Sequence, residues 1–410
     1  MRDGWCTGSL GSLVRVASGQ VDPKIDGIGD LPSVGPENLF SGGGLDLASI
    51  KSAREQGHIS GKYAFDNQAI LYSKIRPNLN KVALPDFAGI CSADMYPLWV
   101  SDETQADRQF LFYALTSDNF VAEASARSFR TGLPKINRPD LESIEILVPP
   151  IEEQRKIGAI LQTWDEAIEK LKVVRKAKER RHIALTHSLV FGARQLARFH
   201  ATDEVTAHRW FTLPASWRCK PIGKLASEIS ERNADAMQHE VLSCSKHDGF
   251  VRSLEYFKKQ VFSTDLSGYK KIWRGDFGFP SNHVEEGSIG LQNLTDLGVV
   301  SPIYTVFRFA SDKVDADYAF AVLKTGLYRH IFEVSTSSSV DRRGSLRWSE
   351  FSRLPFPVPS LAEQKAIAEV LRTARTELKA LTTEIDLLVR QKRGLMQRLL
   401  TGEWRVKLEE

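Results

Sequence analysis

The sequence has few cysteines and no long apolar run, and each shortage excludes a class of protein. The four cysteines, Cys6, Cys91, Cys219 and Cys244, are scattered and form no CxxC pair, which fits reduced thiols better than a disulfide framework. No apolar stretch approaches the ~20 residues needed to span a bilayer. The N-terminal residues also lack the basic-then-apolar layout of a signal peptide. We therefore expect a cytoplasmic protein that does not enter a membrane.

Motifs that would mark an enzyme are missing as well. The chain has no GxxxxGK[ST], HExxH or GxSxG sequence. Residues 40–44 (FSGGG) superficially match the FxGxG of adenosylmethionine-dependent methyltransferases, but no apolar strand precedes them, which favours a glycine-rich loop. His239, Cys244 and His247 fit no standard metal-site spacing, and the Pro-Asp at 139–140 lacks the Glu-x-Lys of a nuclease. We predict no catalytic centre, no metal and no cofactor in this chain.

The composition describes an ordinary globular protein of two or three domains. The 410 residues are 42% hydrophobic and 26% charged, which is enough apolar material for real cores. The net charge of +4 is compatible with a nucleic-acid partner but does not by itself indicate one.

An internal duplication is the strongest feature present. Residues 148–161 read VPPIEEQRKIGAIL and residues 358–371 read VPSLAEQKAIAEVL, an offset of 210. Weaker echoes pair Trp5 and its following LGSL with Trp217 and its following IGKL. The chain therefore reads as lobe, helix, lobe, helix, with boundaries at 1–147, 148–205, 206–357 and 358–410.

Both helices have clear predicted ends. Ser360 and Glu363 have the spacing of a capping box, and Pro150 occupies the equivalent place in the first copy. Gly192 and Gly402 are suited to the residue just past a helix end. A continuous helix between Pro150 and Gly192 would be ~63 Å long.

Heptad spacing predicts that the two helices pack together as a coiled coil. If a pseudo-two-fold axis relates the copies, they run antiparallel, Trp164 faces Lys392 and His182 faces Ala374. The alternative is two unrelated amphipathic helices, each packed on its own lobe. The predicted seam of the second helix contains Ile367, Leu371, Ala374, Leu378, Leu381, Ile385, Leu388, Lys392, Leu395 and Leu399. The predicted seam of the first contains Ile157, Leu161, Trp164, Ile168, Leu171, Arg175, Lys178, His182, Leu185 and Leu189.

The lobes combine short strands with helices, so each is predicted to be α+β. Basic residues cluster within them, and such side chains suit phosphates and base edges. Taken alone, each cluster is more often a solvated surface; the matching clusters ahead of both helices favour DNA binding. The first helix region, 151–199, adds a net charge of 11 − 6 = +5. The candidate DNA-binding residues are Lys74, Arg76, Asn78, Asn80, Lys81, Arg127, Arg130, Thr131, Lys135, Asn137, Lys270, Lys271, Arg274, Ser337, Ser338, Arg342, Arg343 and Arg347.

The duplicated Pro-x-x-x-Glu-Gln-x-x-Ile motif resembles the starts of the two conserved regions in specificity subunits of type I restriction-modification enzymes. The phrases YSKIRPNLNKV, VGPENL, GDFGFPSN and GVVSPIYTVFRF are similar to segments of the recognition domains in that family. The resemblance covers the whole chain and implies two target-recognition domains and two helical spacers. One departure is the basic middle of the first seam, which leaves open whether it packs on the second helix or faces DNA or a partner.

The resemblance implies a non-catalytic role. Each recognition domain would read one half of a bipartite, asymmetric double-stranded DNA site. The helices would set the spacer and dock two methyltransferase (modification) subunits, which would carry adenosylmethionine. Restriction subunits, which are translocases, would carry ATP and Mg²⁺. The alternative from another class is a coiled-coil assembly scaffold whose lobes bind protein rather than DNA.

Overall fold

The computed structural model describes residues 4–128, 134–199, 202–234, 237–246, 248–336 and 345–407. The chain divides into two compact units. The first unit is Met1–Lys172 with Thr383–Glu410, and the second is Val173–Thr382. The division passes through both long helices, so each unit contains a lobe and one end of each helix.

The described residues of the first unit form ten strands. Two four-stranded sheets have the orders β2-β9-β6-β7 and β4-β3-β8-β5, and β1 pairs with β10. All neighbours are antiparallel except β3 and β8, which are parallel. The strands are β1 (Cys6–Ser9), β2 (Val14–Val16), β3 (Pro32–Val34), β4 (Lys51–Ser52), β5 (Tyr63–Phe65), β6 (Ile70–Ser73), β7 (Val82–Ala83), β8 (Gly89–Cys91), β9 (Met95–Val100) and β10 (Glu145–Val148).

Short helices cover these sheets and lead into the first long helix. The helices are α1 (Leu10–Leu13), α2 (Arg108–Thr116), α3 (Asp118–Ala126), α4 (Arg138–Glu142) and the long α5 (Ile151–Val190). Asp107 and Ser117 cap α2 and α3 by accepting hydrogen bonds from backbone N–H groups. The main core includes Phe110, Tyr113 and Leu161, so the start of α5 is part of the hydrophobic interior of this lobe.

The second unit repeats the sheets of the first and adds a two-stranded hairpin, β11-β12. Its sheets have the orders β14-β21-β18-β19 and β16-β15-β20-β17, β13 pairs with β22, and β15 with β20 is again the parallel pair. The strands are β11 (Val205–Ala207), β12 (Thr212–Pro214), β13 (Arg218–Pro221), β14 (Ala226–Ile229), β15 (Glu240–Ser245), β16 (Gly249–Arg252), β17 (Lys270–Trp273), β18 (Phe277–Pro280), β19 (Gly290–Leu291), β20 (Leu297–Val300), β21 (Tyr304–Phe309) and β22 (Pro355–Val358). Its helices are α6 (Ser253–Phe257), α7 (Ala316–Leu323), α8 (Gly326–Ser335), α9 (Trp348–Phe351) and the long α10 (Leu361–Leu400).

The antiparallel packing of the long helices is confirmed. In the first unit the Lys392 ammonium lies 2.5 Å from an Asp165 carboxylate oxygen, and in the second unit Lys178 lies 2.9 Å from Glu377. As the residue number rises along α5, the number of its partner on α10 falls. Each helix is 40 residues long, or ~60 Å at 1.5 Å per residue. No helix in the described part of the chain is long and apolar enough to cross a membrane.

The helix ends follow the predicted chemistry with one difference. Gly192 and Gly402 adopt φ of +72° and +63°, where L-residues are disfavoured. The Ser360 hydroxyl accepts a hydrogen bond from the N–H of Glu363, 3.2 Å away. The Glu363 carboxylate accepts instead from the Trp217 indole. The predicted capping box is therefore half formed, because a neighbouring aromatic residue takes the carboxylate.

Candidate nucleic-acid interface

A strained turn follows strand β6 in the first unit. Arg76 and Asn80 have φ of +48° and +50° and flank a single 3₁₀ turn at Pro77–Leu79. The left-handed region costs a residue with a side chain roughly 1–2 kcal/mol, so surrounding contacts must hold the turn in place. The N–H of Arg76 donates to Pro134 O at 2.8 Å, and the Asn80 amide donates to Thr116 O at 2.8 Å.

This turn brings together two basic clusters that are far apart in sequence. The N–H of Ile136 donates to Lys74 O at 2.9 Å, and Ile75 forms a β-bridge with Lys135. The cluster at 72–81 therefore lies beside the segment that contains Lys135. The Lys135 ammonium is half exposed and pairs with Asp94 at 3.0 Å. One face of the first unit thus combines the exposed turn with cationic side chains.

Several of the candidate residues have structural partners. Lys74 is 9% exposed, and its ammonium lies 4.8 Å from the centre of the Tyr96 ring. Burial, and then the nearby Lys135, lower the pKa of Lys74. Lys81 donates to Pro36 O at 2.5 Å, and Lys270 donates to Tyr304 O at 2.6 Å. These three ammonium groups support the fold of their own lobe.

The remaining candidates have mixed surroundings. Arg127 donates to Ser143, Asn137 caps α4, Lys271 pairs with Glu231, and Arg274 pairs with Asp296. Arg347 precedes α9 and is exposed. Six candidates lie outside the described residues: Arg130, Thr131, Ser337, Ser338, Arg342 and Arg343.

The second unit has an equivalent turn that the sequence reasoning missed. The N–H of Leu346 donates to Ser281 O at 2.8 Å, just as Ile136 donates to Lys74 in the first unit. Asn282 and His283 follow Ser281 and precede a 3₁₀ turn at 284–286. This turn corresponds to the Arg76 turn, whereas the basic residues Lys270, Lys271 and Arg274 lie in or just after β17. Aligning the residues after β6 with those after β18 would have found it, because both follow a buried strand.

The excluded motifs have structural explanations. In the FSGGG segment the N–H of Gly42 donates to Asn80 O at 2.9 Å, so this loop supports the strained turn. Burial raises the pKa of Cys244 to about 12, and His247 lies outside the described residues. Within the described ranges, only His283, Glu285 and Glu286 bring three metal-type ligand atoms close together. The Glu286 carboxylate is already paired with Lys246 at 2.5 Å.

The duplicated Glu-Gln motif fixes each long helix to its lobe. The Gln154 amide donates to the carbonyl oxygens of Gln105 and Pro149, both at 2.8 Å, and its oxygen accepts from the N–H of Asp107 at 2.9 Å. Asp107 is the residue that caps α2. Because Gln154 is fully buried, this one side chain joins the start of α5 to the start of α2.

The second copy makes the same connections. The Gln364 amide donates to Lys313 O at 3.1 Å and to Pro359 O at 3.0 Å, and its oxygen accepts from the N–H of Asp315 at 2.9 Å. Asp315 caps α7 as Asp107 caps α2. The motif that identifies the duplication in the sequence is therefore a structural joint, and neither glutamine is exposed for function.

The neighbouring glutamates differ between the copies. Glu153 accepts a hydrogen bond from the Trp5 indole at 3.1 Å and forms a two-point ion pair with Arg405, at 2.7 and 2.9 Å. Glu363 accepts from Trp217, and burial raises its pKa. At the offset of 210, the position that corresponds to Arg405 is Gln195, an uncharged residue.

All twenty predicted seam positions are buried or partly buried. At the lobe-proximal ends they also enter the lobe cores: Ile157, Leu161 and Leu399 in the first unit, and Leu189, Ile367 and Leu371 in the second. The seam therefore serves both alternatives, helix pairing and packing on the lobe. The other positions are Trp164, Ile168, Leu171, Arg175, Lys178, His182, Leu185, Ala374, Leu378, Leu381, Ile385, Leu388, Lys392 and Leu395.

The basic middle of the first seam lies partly buried between the helices of the second unit. His182 is close enough to Arg375 that, after burial, the arginine further lowers the pKa of His182. Lys178 pairs with Glu377. In the predicted antiparallel register, His182 faces Ala374. The observed partners, Arg375 and Glu377, each lie within one residue of the position that this register predicts. The Lys178 charge is accommodated here because the end of this side chain, which is 40% exposed, reaches the solvent.

Comparison with known proteins agrees with this architecture. A model of the type I restriction modification DNA specificity domain matches residues 2–178. The EcoDI specificity subunit of Escherichia coli is 45% identical over 103 residues, which are 25% of this chain and 22% of that protein. The MjaVIII specificity subunit of Methanocaldococcus jannaschii is 25% identical over 334 residues, 78% of this chain and 75% of that one.

Solved structures share the fold. A chain from a study of complex assembly and conformational transition of the type I R-M system superposes with a TM-score of 0.60 at 20% identity, covering 98% of this chain and 99% of that one. The S subunit of a type I restriction-modification system from M. genitalium gives a TM-score of 0.54 at 15% identity, covering 99% and 97%. The resemblance expected from the duplicated motif is thus confirmed: residues 2–178 match the type I restriction-modification DNA specificity domain, and the chain resembles the specificity subunits of these systems.

Proposed function

We propose that this chain is the specificity subunit of a type I restriction-modification system and that each unit reads one half of a bipartite, asymmetric DNA site. One observation carries the proposal. The two units have the same strand order and the same glutamine joint, yet the turn after β6 contains Arg76 and Asn78 while the turn after β18 contains Asn282 and His283. An identical framework with different exposed side chains is what two different half-sites require.

The chain acts without catalysis of its own in this proposal. It positions DNA for two modification subunits, which supply adenosylmethionine, and for restriction subunits, which use ATP and Mg²⁺. The long helices set the length of the unread spacer. Its place is the cytoplasm, where these partners and DNA meet.

The outer surface of the helices supports a docking role. In α5, Val173, Val174 and Ile183 are exposed, and in α10, Leu387 and Val389 are exposed. Of these, Val173 and Val174 are adjacent in α5, and we propose that this pair contacts a partner, since contiguous exposed apolar side chains mark interaction sites. We expect the V173D/V174D double variant to weaken co-purification with the modification subunit, while K172E, an exposed charge change next to it, leaves it intact.

The direct test is co-expression with the neighbouring modification gene, followed by mapping of methylated adenines across the genome. A split motif with an unread spacer is the expected result. A continuous palindrome, or no methylation by a complex that assembles normally, would contradict the proposal.

The competing function is a coiled-coil scaffold with protein-binding lobes. Combined substitution of four arginines with alanine distinguishes the scaffold from a DNA-binding protein. The four are Arg76, Arg130, Arg342 and Arg343. DNA affinity and its dependence on salt should both fall, because each of these arginines that contacts a phosphate contributes about 0.9 to the salt slope. Unchanged affinity and slope would favour the scaffold.

A further inference from the structure

We infer that Arg76 and Asn78 are the base-reading side chains of the first unit, and that the lysines around them have other roles. The inference rests on the proposed function and makes it more specific, since it divides the basic cluster at 72–81 by role.

The backbone of the turn is held from several sides. Arg76 and Asn80 are two of the three described residues other than glycine with positive φ, and both flank the same 3₁₀ turn. The Arg76 N–H donates to residue 134, the Asn80 carbonyl oxygen accepts from residue 42, and the Asn80 side-chain amide donates to residue 116, and these hydrogen bonds fix the turn. Strain that is held so firmly indicates a position selected for its geometry.

The two side chains at the tip are available. Arg76 and Asn78 are exposed, and within the described ranges neither has a side-chain hydrogen bond or ion pair. Two other arginines of the same unit are paired instead: Arg54 with Asp30 at 2.9 Å, and Arg138 with Glu142 at 2.8 Å. A rigid turn with two free polar side chains costs little ordering when it binds.

The chemistry of the two residues fits base edges. Arginine binds guanine O6 and N7 with two hydrogen bonds, and asparagine does the same to adenine N6 and N7. The lysines of the cluster cannot compete, because the Lys74 and Lys81 ammonium groups are held by Tyr96 and Pro36 O. Lys135, half exposed beside Asp94, is suited to a phosphate, which needs charge and no particular geometry.

The test uses the complete methyltransferase complex and a DNA library randomised in both half-sites. We expect R76A and N78A each to relax the preference at one base pair of the same half-site by about ten- to a hundredfold. Preferences in the other half-site should remain. R76K should relax the same base while retaining affinity, because lysine keeps the charge but loses the two-point fork.

Controls separate a reading role from damage to the fold. R54A is the matched control: it removes an exposed arginine of the same unit and should leave all base preferences unchanged. The thermal midpoint of each variant complex shows whether that variant folds. If R76A does not fold, R76K still tests the role of Arg76 in base reading. A uniform loss across all sequences with a smaller salt slope would make Arg76 a phosphate contact and overturn the inference.

The inference and the proposed function fail in different ways. If the complex without any substitution methylates no split motif, the proposed function fails. If it methylates a split motif and R76A and N78A keep every base preference, the inference alone fails.

Discussion

The two copies of the Glu-Gln joint have the same glutamine geometry and different glutamate environments. Gln154 and Gln364 make matching sets of three hydrogen bonds. Glu153, however, is paired with Arg405, whereas burial raises the pKa of Glu363. After duplication, the backbone joint requires the same residue in both copies, while the neighbouring carboxylate adapts to whichever segment covers it.

The helix ends differ in packing as well. Phe191 stacks on Phe211 of the β11–β12 hairpin, with ring centres 5.2 Å apart, and lies parallel to Tyr328 at 6.5 Å. The corresponding residue of the first unit is Thr401, which lines a cleft of about 140 Å³ together with Phe110 and Phe120. The Phe191 ring fills this position in the second unit, whereas the equivalent position in the first unit, next to Thr401, is an open cleft.

The largest effect is expected from the joint that the copies share. Q154A and Q364A each leave buried backbone groups without partners, so each should lower the free energy of unfolding by about 4 kcal/mol. Chemical denaturation followed by circular dichroism would measure both. A loss several-fold larger in one copy than in the other would show that the joint is not equivalent.

Exchanging the two helix-end residues tests the packing difference. F191T should destabilise the protein by about 3 kcal/mol, as removal of a buried ring does. T401F should stabilise it by about 1 kcal/mol by filling the cleft. Thermal denaturation of both variants is sufficient, and a T401F protein less stable than the parent would mean that the cleft cannot accept the ring.

The smallest effect concerns the pH dependence of stability contributed by Glu363. The pKa of Glu363 is higher in the folded than in the unfolded chain, so the folded state binds its proton more tightly. Stability from this group therefore falls as the pH rises from the unfolded to the folded pKa. E363Q should remove that fall and stabilise the protein at neutral pH.

E153Q is the comparison for this prediction. It breaks the pair with the half-exposed Arg405 and should destabilise the protein by about 1 kcal/mol, after allowing for solvent screening. Urea denaturation of E363Q at several pH values, and of E153Q at neutral pH, would distinguish the two glutamates. Equal changes in the free energy of unfolding for E153Q and E363Q would mean that the ion pair with Arg405 does not stabilise the protein.

The framework could be predicted from the sequence, but the surface could not. The offset of 210, the heptad spacing and the glycines at 192 and 402 predicted the helices, their ends and their antiparallel pairing, because these depend on local periodicity. The role of Gln154 was not predictable, since its partners at 105 and 107 lie in another element.

Charge alone was a poor guide to the candidate interface. Lys74, Lys81 and Lys270 look like DNA contacts in the sequence, yet their ammonium groups bind within their own lobe. Composition does not indicate whether a lysine is satisfied internally. The turn at Asn282 was missed for the opposite reason, because it has no cluster of positive charge.

The division of the chain also has a kinetic consequence. Residues 383–410 complete the first unit, and Arg405 pairs with a glutamate 252 positions earlier. At roughly 5–20 residues per second on the ribosome, the first lobe waits on the order of ten seconds or more for its last helical segment, while the second lobe is made. Until then the core that contains Phe110 and Leu161 lacks Leu399 and Leu400, which complete it. The protein is therefore most exposed to misassembly during synthesis at the lobe that emerges first.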